Sequence, residues 1–173
     1  AIHKLTGLGF LNDETYTKAL FETKKRTAKK GPAAIRQDLM KKGIDKGLQE
    51  QVLGTFGHAE QVELALELAA KQVRAGDQKT PTQIKQKIQD VLMRKGYSFT
   101  VVKDVLEKIE LERAEDDWQQ IVEQQGDKIW RKYASKFTGS ELRNKIKQAL
   151  YQKGFPVEVI NRFIEQKENE EHE

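Results

Sequence analysis

His3, His58 and His172 are the three histidines of this 173-residue chain, and histidine is the side chain suited to moving a proton or holding a metal near neutral pH. None has a second His or a Cys at helical spacing, so no metal-ligand set forms around them. The chain has no cysteine, which removes disulfides, thiolate zinc sites and thiol nucleophiles together and fits a reducing, cytoplasmic setting. Glu115-Asp116-Asp117 could be taken for paired catalytic carboxylates. At the start of a helix they complement the helix dipole instead. Gly7 and Gly9 are not followed by a phosphate-binding pattern, and no G-x-x-x-x-G-K-[ST] loop occurs. The expectation is a protein with no cofactor, no metal and no enzymatic activity.

The chemistry the sequence does offer is cationic. Residues 24–30 hold five cations in seven positions, Lys24, Lys25, Arg26, Lys29 and Lys30, with Arg36 following. A second group includes Arg131, Lys132, Arg143 and Lys147. Crowded cations repel one another unless an anionic partner is met, and phosphate is the obvious candidate. Binding of that kind is independent of base sequence and strongly salt-dependent. The bland alternative is a solvated face of a charged helical protein. Trp118, Trp130, Tyr133 and Phe137 could stack on unpaired bases if they faced outward. They recur at helical spacing beside Ile121, Val122 and Ile129, so the core reading is preferred.

The elements that carry these residues announce themselves by a corner written three times: LMKKGI at 39–44, LMRKGY at 92–97 and LYQKGF at 150–155. Aligned on Gly43, Gly96 and Gly154, the copies place Ile35, Ile88 and Ile146 eight residues upstream and Leu39, Leu92 and Leu150 four upstream. Two apolar residues one turn apart on one face define a helix, and Gly after a Lys closes it in a left-handed conformation. Apolar spacing resumes downstream at Leu48, Val52 and Leu53, at Val102, Val105 and Leu106, and at Ile160, Phe163 and Ile164. Thr80-Pro81-Thr82-Gln83 and Thr138-Gly139-Ser140-Glu141 read as capping boxes, and Gly31-Pro32 opens the first copy. Earlier stretches carry Tyr16, Ala19 and Leu20, then Val62, Ala65, Leu66 and Ala69. Each unit is therefore three helices.

The fold class expected is all-α: tandem three-helix repeats stacked into an elongated, curved body. The expected boundaries are a remnant of a cut-off repeat at 1–8, repeats at 9–57, 58–112 and 113–168, and an acidic, frayed tail at 169–173. Ala1 without an initiator Met, followed by Ile2 and Leu5 at helical spacing, suggests a start inside a longer protein. The segments at 76–79 and 54–58 read as hinges. With 37% hydrophobic and 34% charged residues, no apolar run approaches the roughly 20 residues a membrane span needs. No membrane partner is expected.

Residues 8–20, LGFLNDETYTKAL, followed by 30–44, KGPAAIRQDLMKKGI, closely resemble the RecX family, bacterial regulators of the RecA recombinase. The resemblance rests on Gly9, Phe10, Leu11, Asn12 and Asp13 before Tyr16, then on Lys30, Gly31 and Pro32 leading through Ile35 and Leu39 to Lys42-Gly43-Ile44. It is specific over residues 5–56 and continues through the corners at Gly96 and Gly154. The family's N-terminal half-unit, with its own corner, is absent from this chain. On physical grounds these motif residues are structural: Gly9, Gly31 and Gly43 shape the backbone, Phe10, Leu11, Ile35 and Leu39 fill core, and Asn12 or Asp13 caps the following helix. The resemblance implies a monomeric protein that binds the RecA filament on single-stranded DNA and inhibits its extension, ATP hydrolysis and strand exchange. Two other readings stand beside it: a helical-repeat protein that contacts single- or double-stranded DNA directly through its basic patches, and a purely protein-binding scaffold.

Overall fold

A computed structural model describes the main chain of residues 2–172 and the side chains of residues 13–172. Its helices are α1 (Ile2–Arg26), α2 (Pro32–Lys41), α3 (Lys46–Leu53), α4 (His58–Ala75), α5 (Pro81–Arg94), α6 (Phe99–Lys108), α7 (Glu115–Ala134), α8 (Gly139–Gln152) and α9 (Val157–His172). No strand occurs among the described residues. The chain is all-α, and the order helix, helix, glycine corner, helix recurs three times. It divides into two compact units, one running to Gln72 and resuming over Lys87–Ile109, the other comprising Val73–Gln86 and the chain from Glu110 onward.

In the first unit α1, α2 and α3 pack against one another. Ile35, Leu39, Leu48, Val52 and Phe56 are buried there, with the Phe21 ring edge-on to Phe56 at 5.8 Å. The inward stripe of α1 is Thr17, Phe21 and Lys25, spaced four apart. Tyr16 and Ala19, expected on that face, are exposed, because the stripe is set by Phe21 and lies one residue further on. Asp13 caps nothing: it lies inside α1, where its carbonyl accepts the Thr17 hydroxyl at 2.5 Å. That bond satisfies the one polar group buried in the stripe's first turn. The expected remnant at 1–8 and the start of the first repeat share this single helix. The side chains of Phe10, Leu11 and Asn12 lie outside the described residues.

The three corners adopt one geometry. Gly43, Gly96 and Gly154 have φ of 72°, 94° and 96°. Their N–H groups donate to Met40, Met93 and Tyr151 carbonyls, and the next N–H groups, of Ile44, Tyr97 and Phe155, reach back to Leu39, Leu92 and Leu150 at 3.1 to 3.2 Å. This is a Schellman motif, which satisfies the loose carbonyls at a helix end. The six residues expected at the first-helix core positions, Ile35, Leu39, Ile88, Leu92, Ile146 and Leu150, have no exposed surface.

Two corners also act as joints to the preceding repeat. In the first unit the N–H of Gly31, the N-cap of α2, donates to Lys95 O at 2.6 Å, and Ala33 N–H donates to Gly96 O at 3.1 Å. The Tyr97 hydroxyl donates to Lys29 O at 2.8 Å. A Cβ on Gly96 would run into the main chain of Ala34. In the second unit the hydroxyl of Thr80, which caps α5, donates to Lys153 O at 2.5 Å, and a Cβ on Gly154 would run into Thr82. A Cβ on Gly43 would meet nothing within 4 Å.

In the second unit α7, α8 and α9 pack mutually around Ile121, Val122, Ile146, Leu150, Phe155 and Phe163. Trp118, Tyr133 and Phe137 pack on this core and Trp130 lies within it, so the aromatics are structural and not base-stacking platforms. Trp118 meets Phe155 at 5.8 Å and Trp130 meets Phe163 at 6.4 Å. The capping box at Thr80 forms, with Thr80 N–H to Gln83 Oε1 at 3.0 Å and Gln83 N–H to Thr80 Oγ1 at 3.2 Å. The one expected at Thr138 does not: Gly139 enters α8 at φ 61°, and the Thr138 hydroxyl makes no cap bond. Glu115, Asp116 and Asp117 occupy the first turn of α7, as read from sequence. Residues 169–172, expected as a frayed tail, continue α9. The loop at 76–79 is tied by Arg113, which donates to Gly76 O at 2.5 Å and Lys79 O at 3.0 Å, and by Gln125, which donates to Gln78 O.

Candidate interaction surface

The cations of 24–30 meet their anions within the chain. Lys25 is buried, its ammonium 3.0 Å from Glu22 and 2.8 Å from Glu60, and it lies over the rings of Phe21 and Phe56 at 4.9 and 5.5 Å. Burial works against its charge, but the hydrogen bonds it donates to Glu60 and Glu22 outweigh that and raise the ammonium above the ordinary lysine value. Arg26 pairs with Glu22 at 2.7 Å. Lys30 and Lys24 share Asp38, at 2.7 and 3.8 Å, and the Lys30 hydrogen bond holds the Asp38 carboxyl below the usual aspartate range. Lys29, at φ 54°, pairs with Glu67, and Arg36 pairs with Glu50. Local counting along 21–42 sees eight cations against two carboxylates. Glu50, Glu60 and Glu67 arrive from α3 and α4, which no local count registers. These pairs answer the self-repulsion internally, although exposed pairs each contribute little.

The second group lies in the other unit. Arg143 makes a bidentate pair with Glu168, at 2.5 to 2.9 Å. Arg131 Nε donates to its own helix at Asp127 O, and Lys132 lies 5.5 Å from the Tyr133 ring. Neither Arg131 nor Lys132 forms an ion pair among the described residues, and both are exposed. Lys147, half-buried, lines a groove between α8 and α9.

Sequence reasoning missed the exposed apolar side chains at the corners. Met40 is 60% exposed, Met93 48%, Phe99 63%, Tyr151 67% and Val157 57%. Met40, Met93 and Tyr151 all stand three residues before their glycine; Phe99 and Val157 stand three after theirs, where the first copy has Lys46. The signal was present in the aligned repeats, one position beyond the helical face being traced. In the third copy the groove encloses about 390 Å³ and is walled by Tyr151, Val157 and Ile160 beside Asn144, Asn161 and Lys147.

Among the described residues, no cluster of three or more His, Asp or Glu could hold a metal, and no helix is long and apolar enough to cross a membrane. The class so defined is a helical-repeat scaffold that carries paired charges on its surface and exposed apolar side chains at its corners. The models of two RecX domains match the chain in order, the second three-helix domain over residues 12–53 and the third over both 59–106 and 115–164. The chain belongs to the RecX family. It is similar to Regulatory protein RecX of Halalkalibacterium halodurans, 36% identical over 163 residues that cover 94% of this chain and 61% of that one. The Bacillus licheniformis protein of the same name is 33% identical, with 96% of this chain and 63% of the relative covered. The crystal structure of RecX from Lactobacillus salivarius superposes with a TM-score of 0.57 at 32% identity, covering 62% of this chain and 72% of that one. The chain thus spans about three fifths of the length of these curated relatives.

Proposed function

We propose that this chain regulates the RecA recombinase: it binds the RecA filament on single-stranded DNA and inhibits its extension, ATP hydrolysis and strand exchange, acting in the cytoplasm on homologous recombination and the SOS response. The observation that carries the reading is the ordered match of second and third RecX domains across the chain. The exposed surface supports it, since a scaffold with cationic and apolar faces suits a protein and nucleic-acid partner. Within the cationic set, Arg131, Lys132 and Lys147 are the first candidates for contact. Lys24, Arg26, Lys29, Lys30, Arg36 and Arg143 would have to exchange internal partners to engage, and buried Lys25 serves stability.

A second reading, direct binding of DNA phosphates, is favoured by Arg131 and Lys132, which are exposed and have no carboxylate partner among the described residues. One titration separates the two. RecA ATP hydrolysis on single-stranded DNA is followed as the chain is added, beside a binding assay on bare DNA. Inhibition at concentrations that leave bare DNA unbound is expected. Bare-DNA binding without inhibition would replace the regulator reading with the direct binder.

A further inference from the structure

We infer that the groove between α8 and α9 at the third corner is a docking site for an acidic protein segment that inserts an apolar side chain, and that this segment belongs to the filament protein. The inference rests on the regulator reading above and names the surface that reading leaves open.

The apolar residues carry the argument. A single exposed hydrophobic side chain needs no explanation, but a position that is apolar and exposed in every copy does. Met40, Met93 and Tyr151 occupy one such position. Filling the joint does not cover them: the corners at Gly96 and Gly154 both dock on the preceding repeat, yet Met93 and Phe99, like Tyr151 and Val157, remain exposed. The repeated patch is therefore not a seam between repeats.

Charge and shape select the occupant. Of the side chains lining the groove, Lys147 is the one that carries charge. Lys153 follows Tyr151 closely in sequence, as Lys41 and Lys42 follow Met40 and Arg94 follows Met93. A groove whose lining carries one cation and no carboxylate suits an apolar anchor flanked by carboxylates. Three of the five corner residues, Met40, Met93 and Val157, are aliphatic. Single-strand binders use aromatic faces for unpaired bases, whereas methionine adapts to protein side chains. A polypeptide is accordingly the better fit than nucleic acid, and a cleft of about 390 Å³ accommodates a bulky anchor residue.

The test uses the whole chain with RecA assembled on a fluorescent single-stranded oligonucleotide, and the bare oligonucleotide as a second arm. The variants are Tyr151→Ser with Val157→Ser, and Tyr16→Ser as an exposed aromatic away from the corners. All three positions are exposed, so thermal unfolding should be unchanged. The double variant should bind filament about tenfold more weakly, the loss expected for an interface anchor, while its affinity for bare DNA and the Tyr16→Ser protein match wild type. A photo-crosslinker at position 157 should join to an acidic stretch of the filament protein. Unchanged filament binding by the double variant, an equal loss on bare DNA, or crosslinks to DNA or to a second copy of this chain would each overturn the inference while leaving regulation intact. Absence of filament binding by wild type would instead remove the regulator reading and this inference with it.

Discussion

At the scale of residues, charges that look like a binding patch in one dimension prove to be partners of one another in three. Lys25 was legible as a cation but not as a buried one, because its burial depends on Phe56 and Glu60, which lie more than thirty positions away. Asp38 gives this network a pH signature. Its carboxyl is held below the usual aspartate value of 3.8, chiefly by Lys30, so its stabilisation is present above that value and is lost as pH falls through the lower folded one. Asp38→Asn should cost about 1 kcal/mol at neutral pH, and the difference from wild type should shrink in urea unfolding as pH falls below 3.8. The corner glycines allow a second comparison. Gly43→Ala meets only the penalty for a left-handed backbone, about 1 kcal/mol. Gly96→Ala adds a collision with Ala34 and should lose roughly 3 kcal/mol or more, or fail to fold.

The helices themselves were largely readable, and for a definite reason. Ile35, Leu39 and their counterparts are spaced by helical geometry, and Gly43, Gly96 and Gly154 stop each helix in the one conformation glycine enters freely. Phase was harder than existence: Tyr16 and Thr17 differ by about 100° around α1, and packing against α2 and α3 decides which turns inward. Helix caps failed where a neighbouring residue overruled the pattern. Thr80 and Thr138 both begin a capping sequence, yet one bonds and the other does not. Thr80→Val should therefore destabilise by about 2 kcal/mol, since it removes both a cap and the bond to Lys153 O. Thr138→Val should change stability by less than about 0.5 kcal/mol, with chemical denaturation as the measure for both. The exposed apolar residues three places from each glycine were not legible because helical periodicity marks buried faces, and exposure leaves no periodic mark on a single helix.

For the molecule as a whole, what separates a regulator of a filament from a binder of bare DNA is where salt dependence resides. Arg131→Glu with Lys132→Glu should weaken any bare-DNA binding severalfold and flatten its dependence on salt. The same variant should weaken inhibition of RecA ATP hydrolysis less than it weakens bare-DNA binding, with the apolar corners supplying the remaining hold, which parallel titrations at two salt concentrations would reveal. The joints bear on a different question, that of inheritance. At the second corner the Lys-Gly carbonyls meet the cap of α2, with the Tyr97 hydroxyl on Lys29 O beside them, and at the third the Lys153 carbonyl meets the cap of α5. A duplicated repeat would arrive with both halves of that contact already in its sequence. Lengthening such a protein thus needs no new interface to evolve, and descendants with different numbers of repeats can keep the same fold while changing the length of surface they present.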